Sequence, residues 1–335
     1  MPPSINSPST TPPSNSARGR LSRLTLALPL FVCLLIAGCG GADTAEDEGS
    51  PAAGADPAFP VSVLSGPLEG GEEITVDAKP TSIVSLSPTA TEMLWAIGAD
   101  EQVVAVDDQS DYPDGVPTTE LSGFEPNLEA ILGYEPDLVV ASGDSGDLVS
   151  GLEAAEVPTL LLPAAADLDE MYSQMERLGA ATGNVADATT VVAEVRTGIE
   201  QAVSDAPDAK GLTYFHELGP DLYTATGNTF IGEVYGLFDL TSIADAAGVK
   251  DEYPQLSSEY VVSADPDFVF LADNECCEVT PEQVSDRPGW ERMAAIDDEV
   301  HIVNEDITSR WGPRVVDFVQ AVSQILAEHE SQTTG

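Results

Sequence analysis

The sequence predicts an α/β protein of two lobes joined by one long helix, and three observations lead to this prediction. Short runs typical of buried strands alternate with helical stretches, which is the pattern of parallel sheets covered by helices. The longest helical pattern, residues 185–203, divides this alternation into two halves. A short sequence repeat also recurs at a spacing of 130 residues, once in each half.

The first half is predicted to contain an extended hairpin, four buried strands and three helices. The strand predictions are residues 61–64, 74–76, 83–86, 103–106, 138–141 and 159–162, and the helix predictions are residues 89–97, 128–132 and 167–178. Either Ser87 caps the first helix with Pro88 at its first position, or Thr89 and Glu92 form a capping box. Gly98 is placed to end that helix.

After residues 185–203 the alternation of strands and helices begins again. The strand predictions are residues 212–216, 222–224, 268–271 and 300–303, and the helix predictions are residues 230–237 and 315–328. These boundaries give a first lobe at 61–183, a linking helix at 184–207 and a second lobe at 208–335.

The internal repeat relates residues 129–139 to residues 259–269. Each segment begins with Glu, contains Pro-Asp and continues into a buried strand. Pro-Asp is common where a helix stops, but that does not explain the shared glutamates, Glu129 and Glu259. The match is either a coincidence in a very acidic chain or a pair of carboxylates at equivalent positions of two lobes. Such a pair would suit docking to a partner with two basic sockets.

The N-terminus has the features of a secretory signal. Three arginines precede an apolar run at residues 24–37, which ends in small residues directly before Cys39. The arrangement resembles a bacterial lipoprotein signal, with residues 1–38 removed and Cys39 lipidated; the alternative is a plain signal or an uncleaved anchor. Residues 39–60 are rich in Gly, Ala, Pro and acid, which predicts a disordered tether.

The charge balance excludes nucleic acid as a partner. Removing the three leader arginines from the 12 basic residues leaves nine against 58 acidic ones, whereas phosphate binding needs clustered Lys and Arg. The acidity itself is more typical of an adapted surface than of a binding device. Cys276 and Cys277 are adjacent in an oxidising compartment, so we predict a vicinal disulfide. The three histidines are too scattered to predict a metal site.

Several motifs in fixed order resemble one family. They are the segment SIVSLSPTATEMLWAIGAD at residues 82–100, VVAV at 103–106, DYP at 111–113, PNLE at 126–129 and PDLVV at 136–140. Together they resemble the helical-backbone class of ABC-transporter substrate-binding proteins, which capture ferric siderophores, haem or cobalamin. The resemblance implies two Rossmann-like α/β lobes bridged by one helix, a ligand held between the lobes, and docking of Glu129 and Glu259 to arginines of the permease dimer.

Candidate ligand contacts are aromatic, basic or hydroxyl side chains near predicted strand ends and loops. Aromatic faces cover a large chelate at low entropic cost, and Arg310 and Arg314 flank Trp311 at the start of a helix, which suits an anionic ligand. For each arginine the alternative is pairing with a nearby acid such as Asp306 or Asp317. The candidates are Ser87, Thr89, Tyr112, Tyr214, Phe215, Tyr223, Phe230, Arg310, Trp311 and Arg314.

The sequence therefore predicts a lipid-anchored, extracytoplasmic binding protein that delivers an iron chelate, a ferric siderophore or haem, to an ABC permease. Cobalamin is the alternative ligand, and a surface lipoprotein that serves as a scaffold is a further alternative. No nucleophile motif, phosphate loop or zinc motif is present in the sequence, so we expect neither an enzyme nor a catalytic cofactor. We expect a monomer that contacts the membrane through its lipid, the permease dimer and a small-molecule chelate.

Overall fold

The computed structural model describes residues 58–334, and its strands form a hairpin and two four-stranded parallel sheets. The central strands of both sheets are mostly apolar and are buried along almost their whole length, as expected when helices cover both faces. The strands are β1 (Val61–Ser65), β2 (Glu72–Val76), β3 (Ile83–Leu86), β4 (Val103–Val106), β5 (Leu138–Ala141), β6 (Thr159–Leu161), β7 (Thr213–Glu217), β8 (Thr241–Ser242), β9 (Phe268–Leu271) and β10 (Val300–Ile302).

The helices flank these sheets and connect the parallel strands. They are α1 (Pro88–Ala96), α2 (Leu128–Leu132), α3 (Leu148–Ala154), α4 (Leu168–Thr182), α5 (Val185–Asp205), α6 (Phe230–Gly236), α7 (Ser258–Ala264), α8 (Asn274–Cys277), α9 (Pro281–Ser285), α10 (Glu305–Ser309) and α11 (Val315–Thr334). Ser87 caps α1 by accepting a hydrogen bond from the Ala90 amide, and Pro88 occupies the first helical position. This is the first of the two predicted caps.

The two sheets share one topology, which confirms the predicted two-lobe fold. The strand orders are β4-β3-β5-β6 and β10-β9-β7-β8. Counted within each lobe, the first order reads second, first, third, fourth, and the second order reads the same when it is taken from its β8 edge. The predicted strand at residues 222–224 is wrong: Tyr223 forms only an isolated bridge to Gln255, and the short β8 pairs with β7 in its place.

The sequence repeat has a structural cause at the start of each sheet. Asp137 accepts hydrogen bonds from the Thr81 and Ser82 amides, directly before β3. At the equivalent place, Asp267 accepts hydrogen bonds from the amide and the hydroxyl of Thr213, at 2.7 and 2.9 Å. Each Pro-Asp turn therefore joins the third strand of its lobe to the beginning of the first strand.

Helix α5 connects the lobes and lies between helices of both. It packs against α4 of the first lobe and α11 of the second lobe. A Cβ atom on Gly198 would lie 2.8 Å from a methyl group of Val316, so glycine permits the close approach of α5 and α11. The largest apolar cluster continues through α4, α5 and α11 and includes residues from both sheets.

The predicted signal at 1–38, Cys39 and the tether up to residue 57 lie outside the described residues. Within residues 58–334, the helices are all too short or too polar to cross a membrane.

The hydrogen bonds of Asp267 give a prediction about stability. Replacing Asp267 with Ala leaves the Thr213 amide without its charged acceptor, so we expect the free energy of unfolding to fall by about 1–2 kcal/mol. Urea denaturation measures this change. The matched control is Asp298→Ala, which removes an exposed carboxylate of the same lobe. An equal effect of both substitutions would contradict the role assigned to Asp267.

Candidate ligand-binding site

The carboxyl edges of the two sheets face each other. Gln109 and Asp111 follow β4 of the first lobe, and both contact Arg310, which follows β10 and α10 of the second lobe. Open α/β sheets bind ligands at the carboxyl ends of their strands, where the loops supply the contacts. The space between these two edges is therefore the candidate binding cleft.

A cavity of about 210 Å³ lies in this cleft. The first lobe contributes Ala164 and Ala165, which follow β6, and the second lobe contributes the other wall. That wall consists of Leu218, Phe230, Ile231, Tyr253, Thr308, Ser309 and Trp311. The cavity is smaller than a typical site for a drug-sized ligand, which occupies about 300–1,000 Å³. A large chelate would therefore extend from it over the rims of both lobes.

One buried carboxylate holds two arginines at the edge of the cleft. Glu92 lies on α1 with its side chain only 1% exposed, and its Oε1 is 2.9 Å from Nη1 of Arg310. Arg314 binds the same carboxylate through two atoms, with Nε at 2.8 Å from Oε2 and Nη2 at 2.5 Å from Oε1. Burial disfavours the charged form of Arg314 and so lowers its pKa. The hydrogen bonds to Glu92 and the charge of that carboxylate outweigh burial, so the pKa of Arg314 is raised. These ion pairs cross from the first lobe to the second.

Two further hydrogen bonds join the lobes near the cavity. The indole Nε1 of Trp311 donates to Oε1 of Gln174 on α4 at 3.0 Å. The amide of Leu168, the first residue of α4, donates to Oε2 of Glu233 on α6 at 2.7 Å. Burial raises the pKa of the Glu233 carboxyl. These two hydrogen bonds and the Glu92 ion pairs thus connect the lobes at several points around the cavity.

Two predicted ligand contacts lie in the protein core. Tyr214 and Phe215 are both fully buried within β7. The Tyr214 ring packs on Tyr235 at a centroid distance of 4.0 Å, and Phe215 packs edge-on against Trp290. Neither ring presents a face to the cleft, because the first strand of the second lobe is covered by helices on both sides.

The other predicted contacts lie at the cleft, where some line the cavity, some are exposed on its rim and some are buried at a helix start. Phe230 and Trp311 line the cavity, and Tyr223 is 46% exposed in the loop after β7, where its backbone oxygen accepts a hydrogen bond from the amide of the cavity residue Leu218. Tyr112 is 44% exposed on the first lobe, and its ring lies 4.0 Å from the Arg314 guanidinium. The remaining pair, Ser87 and Thr89, is buried at the N-terminus of α1.

Three residues of the cleft are absent from the sequence-based candidates. Glu92 is the centre of the ion cluster, although the sequence suggested only a cap for it. Tyr253 lines the cavity, and Phe124 is 81% exposed in a turn next to the carboxyl end of β3. The available signal was an aromatic residue in a Gly- or Pro-flanked loop, which both Phe124 and Tyr253 satisfy.

A second group of buried polar side chains lies at the carboxyl edge of the second sheet. Burial lowers the pKa of His216 to about 3, and its Nδ1 lies 2.9 Å from the Tyr235 hydroxyl, so this histidine is a neutral core residue. Glu217 forms a two-point ion pair with Arg287, at 2.6 Å for each contact. Burial and the neighbouring charge of Glu217 raise the pKa of Asp273 to about 7.

Cys276 and Cys277 are joined as a disulfide within the short helix α8. The amide of Cys276 donates to Glu305 on α10, which connects this turn with the segment that carries Arg310. Glu129 and Glu259 are exposed on the first turns of α2 and α7, at equivalent positions of the two lobes. Among residues 58–334, no cluster of three His, Cys, Asp or Glu side chains has the arrangement of a metal site.

Comparison with known proteins gives the family of this chain. Residues 83–299 match the periplasmic binding protein family, so the chain belongs to that family. It is a substrate-binding protein of the ABC-transporter type, with the two-lobed α/β fold described above.

Three similar proteins illustrate the range of the family. An uncharacterised ABC transporter substrate-binding lipoprotein of Bacillus subtilis, YvrC, is 27% identical over 89% of this chain and 94% of its own length. A cobalamin-binding protein of Halobacterium salinarum is 36% identical over 63% of this chain, which spans 58% of that relative. The solved periplasmic heme-binding protein RhuT of Roseiflexus shares the fold, with a TM-score of 0.66, 23% identity and coverage of 74% of this chain and 98% of its own.

The burial of Glu92 gives a prediction about the ion cluster. Glu92→Gln leaves Arg310 and Arg314 without their shared buried partner, so we expect the free energy of unfolding to fall by about 3 kcal/mol. Urea denaturation provides the measurement. Glu101→Gln removes an exposed carboxylate just after α1 and is the control. If the two variants lose equal stability, the cluster does not hold the lobes together.

The raised pKa of Asp273 gives a prediction about pH. Because its pKa is higher in the folded protein than the ordinary value of 3.8, the protonated carboxyl stabilises the fold at low pH. That contribution disappears as the pH rises towards about 7. The Asp273→Asn variant has no group that ionises at this position. We therefore expect the difference between its urea midpoint and that of the unsubstituted protein to increase from about pH 4 to about pH 8. Asp298→Asn should show no such change, and a constant difference for Asp273→Asn would contradict the assignment.

Proposed function

We propose that this chain is an extracytoplasmic, lipid-anchored binding protein that captures a corrinoid such as cobalamin between its two lobes and delivers it to an ABC permease. The observation that carries the proposal is the cleft between the carboxyl edges of the two sheets, with aromatic side chains on both of its sides. An iron chelate, ferric siderophore or haem, is the second candidate.

The geometry supports a large, mostly uncharged ligand. The first lobe presents Tyr112 and Phe124, and the second lobe presents Tyr223 and Tyr253, all between 44% and 81% exposed. Rigid rings supply contact area at a low entropic cost, and aromatic side chains are common in the lining of ligand sites. The cavity beside Trp311 would receive one projecting group of the ligand, while the rings cover its faces.

Sequence similarity supports placing cobalamin first among the two candidates. The cobalamin-binding relative is 36% identical, whereas the heme-binding structure is 23% identical and shares only the fold. Corrinoids are broad, with many amide groups around an apolar ring system, and these features match an aromatic cleft with hydroxyl and backbone donors. We therefore place cobalamin before the iron chelates that the sequence alone favoured.

Delivery would use the two exposed glutamates. Glu129 and Glu259 lie on equivalent helices of lobes with the same topology, which supports a docking surface for a two-fold permease. Each exposed pair would contribute about 1 kcal/mol or less, so the glutamates would set orientation more than affinity. The lipid on Cys39 would keep the protein at the membrane that carries the permease.

Equilibrium dialysis of the purified protein against cyanocobalamin tests the proposal. We expect saturable binding at micromolar concentration or below. Phe124→Ala and Tyr253→Ala, one from each lobe, should each weaken binding by about tenfold, because each removes a large ring from the cleft. Tyr134→Ala is the control, since Tyr134 is 39% exposed and its backbone oxygen accepts a hydrogen bond from Ser82, directly before β3, at the opposite edge of the first sheet.

The outcomes separate the candidates. Binding of haemin or a ferric hydroxamate without binding of cyanocobalamin would replace the corrinoid by an iron chelate. Equal losses for Tyr134→Ala and the cleft variants would show that the ligand does not lie between the lobes. Failure of every chelate to bind would overturn the proposed function.

A further inference from the structure

The arginines beside the cavity are already neutralised by carboxylates. Nη1 of Arg310 lies 2.9 Å from Glu92 and 3.2 Å from Asp111, and its Nη2 lies 2.7 Å from Asp306. Arg314 uses Nε and Nη2 for Glu92. Three carboxylates thus face two guanidinium groups, and the local charge is negative.

The arginines also have little freedom to turn towards a ligand. Their side chains are only 11% and 14% exposed, and the backbone oxygen of Gln109 accepts a further hydrogen bond from Arg310. The face of Arg314 is covered by the Tyr112 ring. The group most open to solvent in this cluster is Asp111, whose side chain is 71% exposed. A ligand that approaches the cluster therefore meets a carboxylate before it meets an arginine.

An anionic ligand would have to displace Glu92 to reach these arginines. Glu92 is 1% exposed, and a buried carboxylate that loses its charged partners is strongly destabilising. Without that displacement, the anion would be repelled by Asp111 and Asp306 at short range, where salt screens charges least. A neutral or cationic ligand meets neither cost.

From this arrangement, and on the basis of the proposed function, we infer that the cleft discriminates by charge: it accepts neutral or positively charged chelates and rejects anionic ones. Asp111 and Asp306 are the specificity-determining residues, and Glu92 positions the arginines so that their charge is not available to the ligand. The arginines then do not serve as the anion platform that their sequence context suggested.

A panel of chelates that differ in charge tests the inference. Cyanocobalamin and ferrichrome are neutral, ferrioxamine B is cationic, and haemin and ferric enterobactin are anionic. For the purified protein we expect every chelate that binds to be neutral or cationic, with an affinity at least about tenfold above that of the anionic probes. If a cationic chelate binds, its affinity should fall as ionic strength rises.

The double variant Asp111→Asn with Asp306→Asn tests the assigned residues. It leaves the Glu92 pairs in place and makes the local charge positive, so the affinity ratio of neutral to anionic chelates should fall by about tenfold. Asp114→Asn is the matched control, because Asp114 is exposed in the loop that carries Asp111 and has no ion-pair partner among the described residues. The control should leave the ratio unchanged.

Each possible result is decisive. Anionic chelates that bind as tightly as neutral ones would overturn the charge inference while leaving chelate binding intact. An unchanged ratio in the double variant would remove Asp111 and Asp306 from the inferred role. If no chelate binds, the proposed function fails, and the charge inference fails with it.

Discussion

The contact of Glu92 with Arg310 and Arg314 is the constraint on which the cleft depends. It joins α1 of the first lobe to the segment before α11 of the second lobe, across more than 200 positions of sequence. The carboxylate is buried, so it is stable only while both arginines remain beside it. The positions of Trp311, between the two arginines, and of Tyr112, against Arg314, follow from this contact.

This constraint also limits how the protein can bind. Helix α5 packs against both lobes, and hydrogen bonds from Trp311 to Gln174 and from Leu168 to Glu233 add to the ion cluster. A wide hinge opening would break the ion cluster and both hydrogen bonds together. The cleft is therefore largely formed before the ligand arrives, and ligand binding requires small adjustments of loops and aromatic side chains rather than a large closure.

The sequence predicted the fold well because the relevant signals are local. Strand and helix periodicity, the Ser87 cap and the repeated Pro-Asp turns each depend on neighbouring residues, and they gave the two lobes and the linking helix. The site was harder to predict, because its main contact is long-range. Nothing near Glu92 in sequence reveals its distant arginines. Tyr214 and Phe215 lie within β7, where helices on both faces of the sheet bury them, and only the fold shows that.

The chain has few cations, and its structure uses them mainly for internal contacts. Arg287, Arg310 and Arg314 each pair with a buried carboxylate, so all three maintain the architecture around the cleft. Under the proposed function, affinity would then come from apolar rings and uncharged hydrogen-bonding groups. Using charges for internal contacts and apolar rings for the ligand suits a chain whose acidity is typical of a surface adapted to salt. Salt screens exposed charges but does not weaken apolar burial. In the proposed function, buried ion pairs hold the lobes, aromatic faces would hold the ligand, and exposed carboxylates would exclude anions.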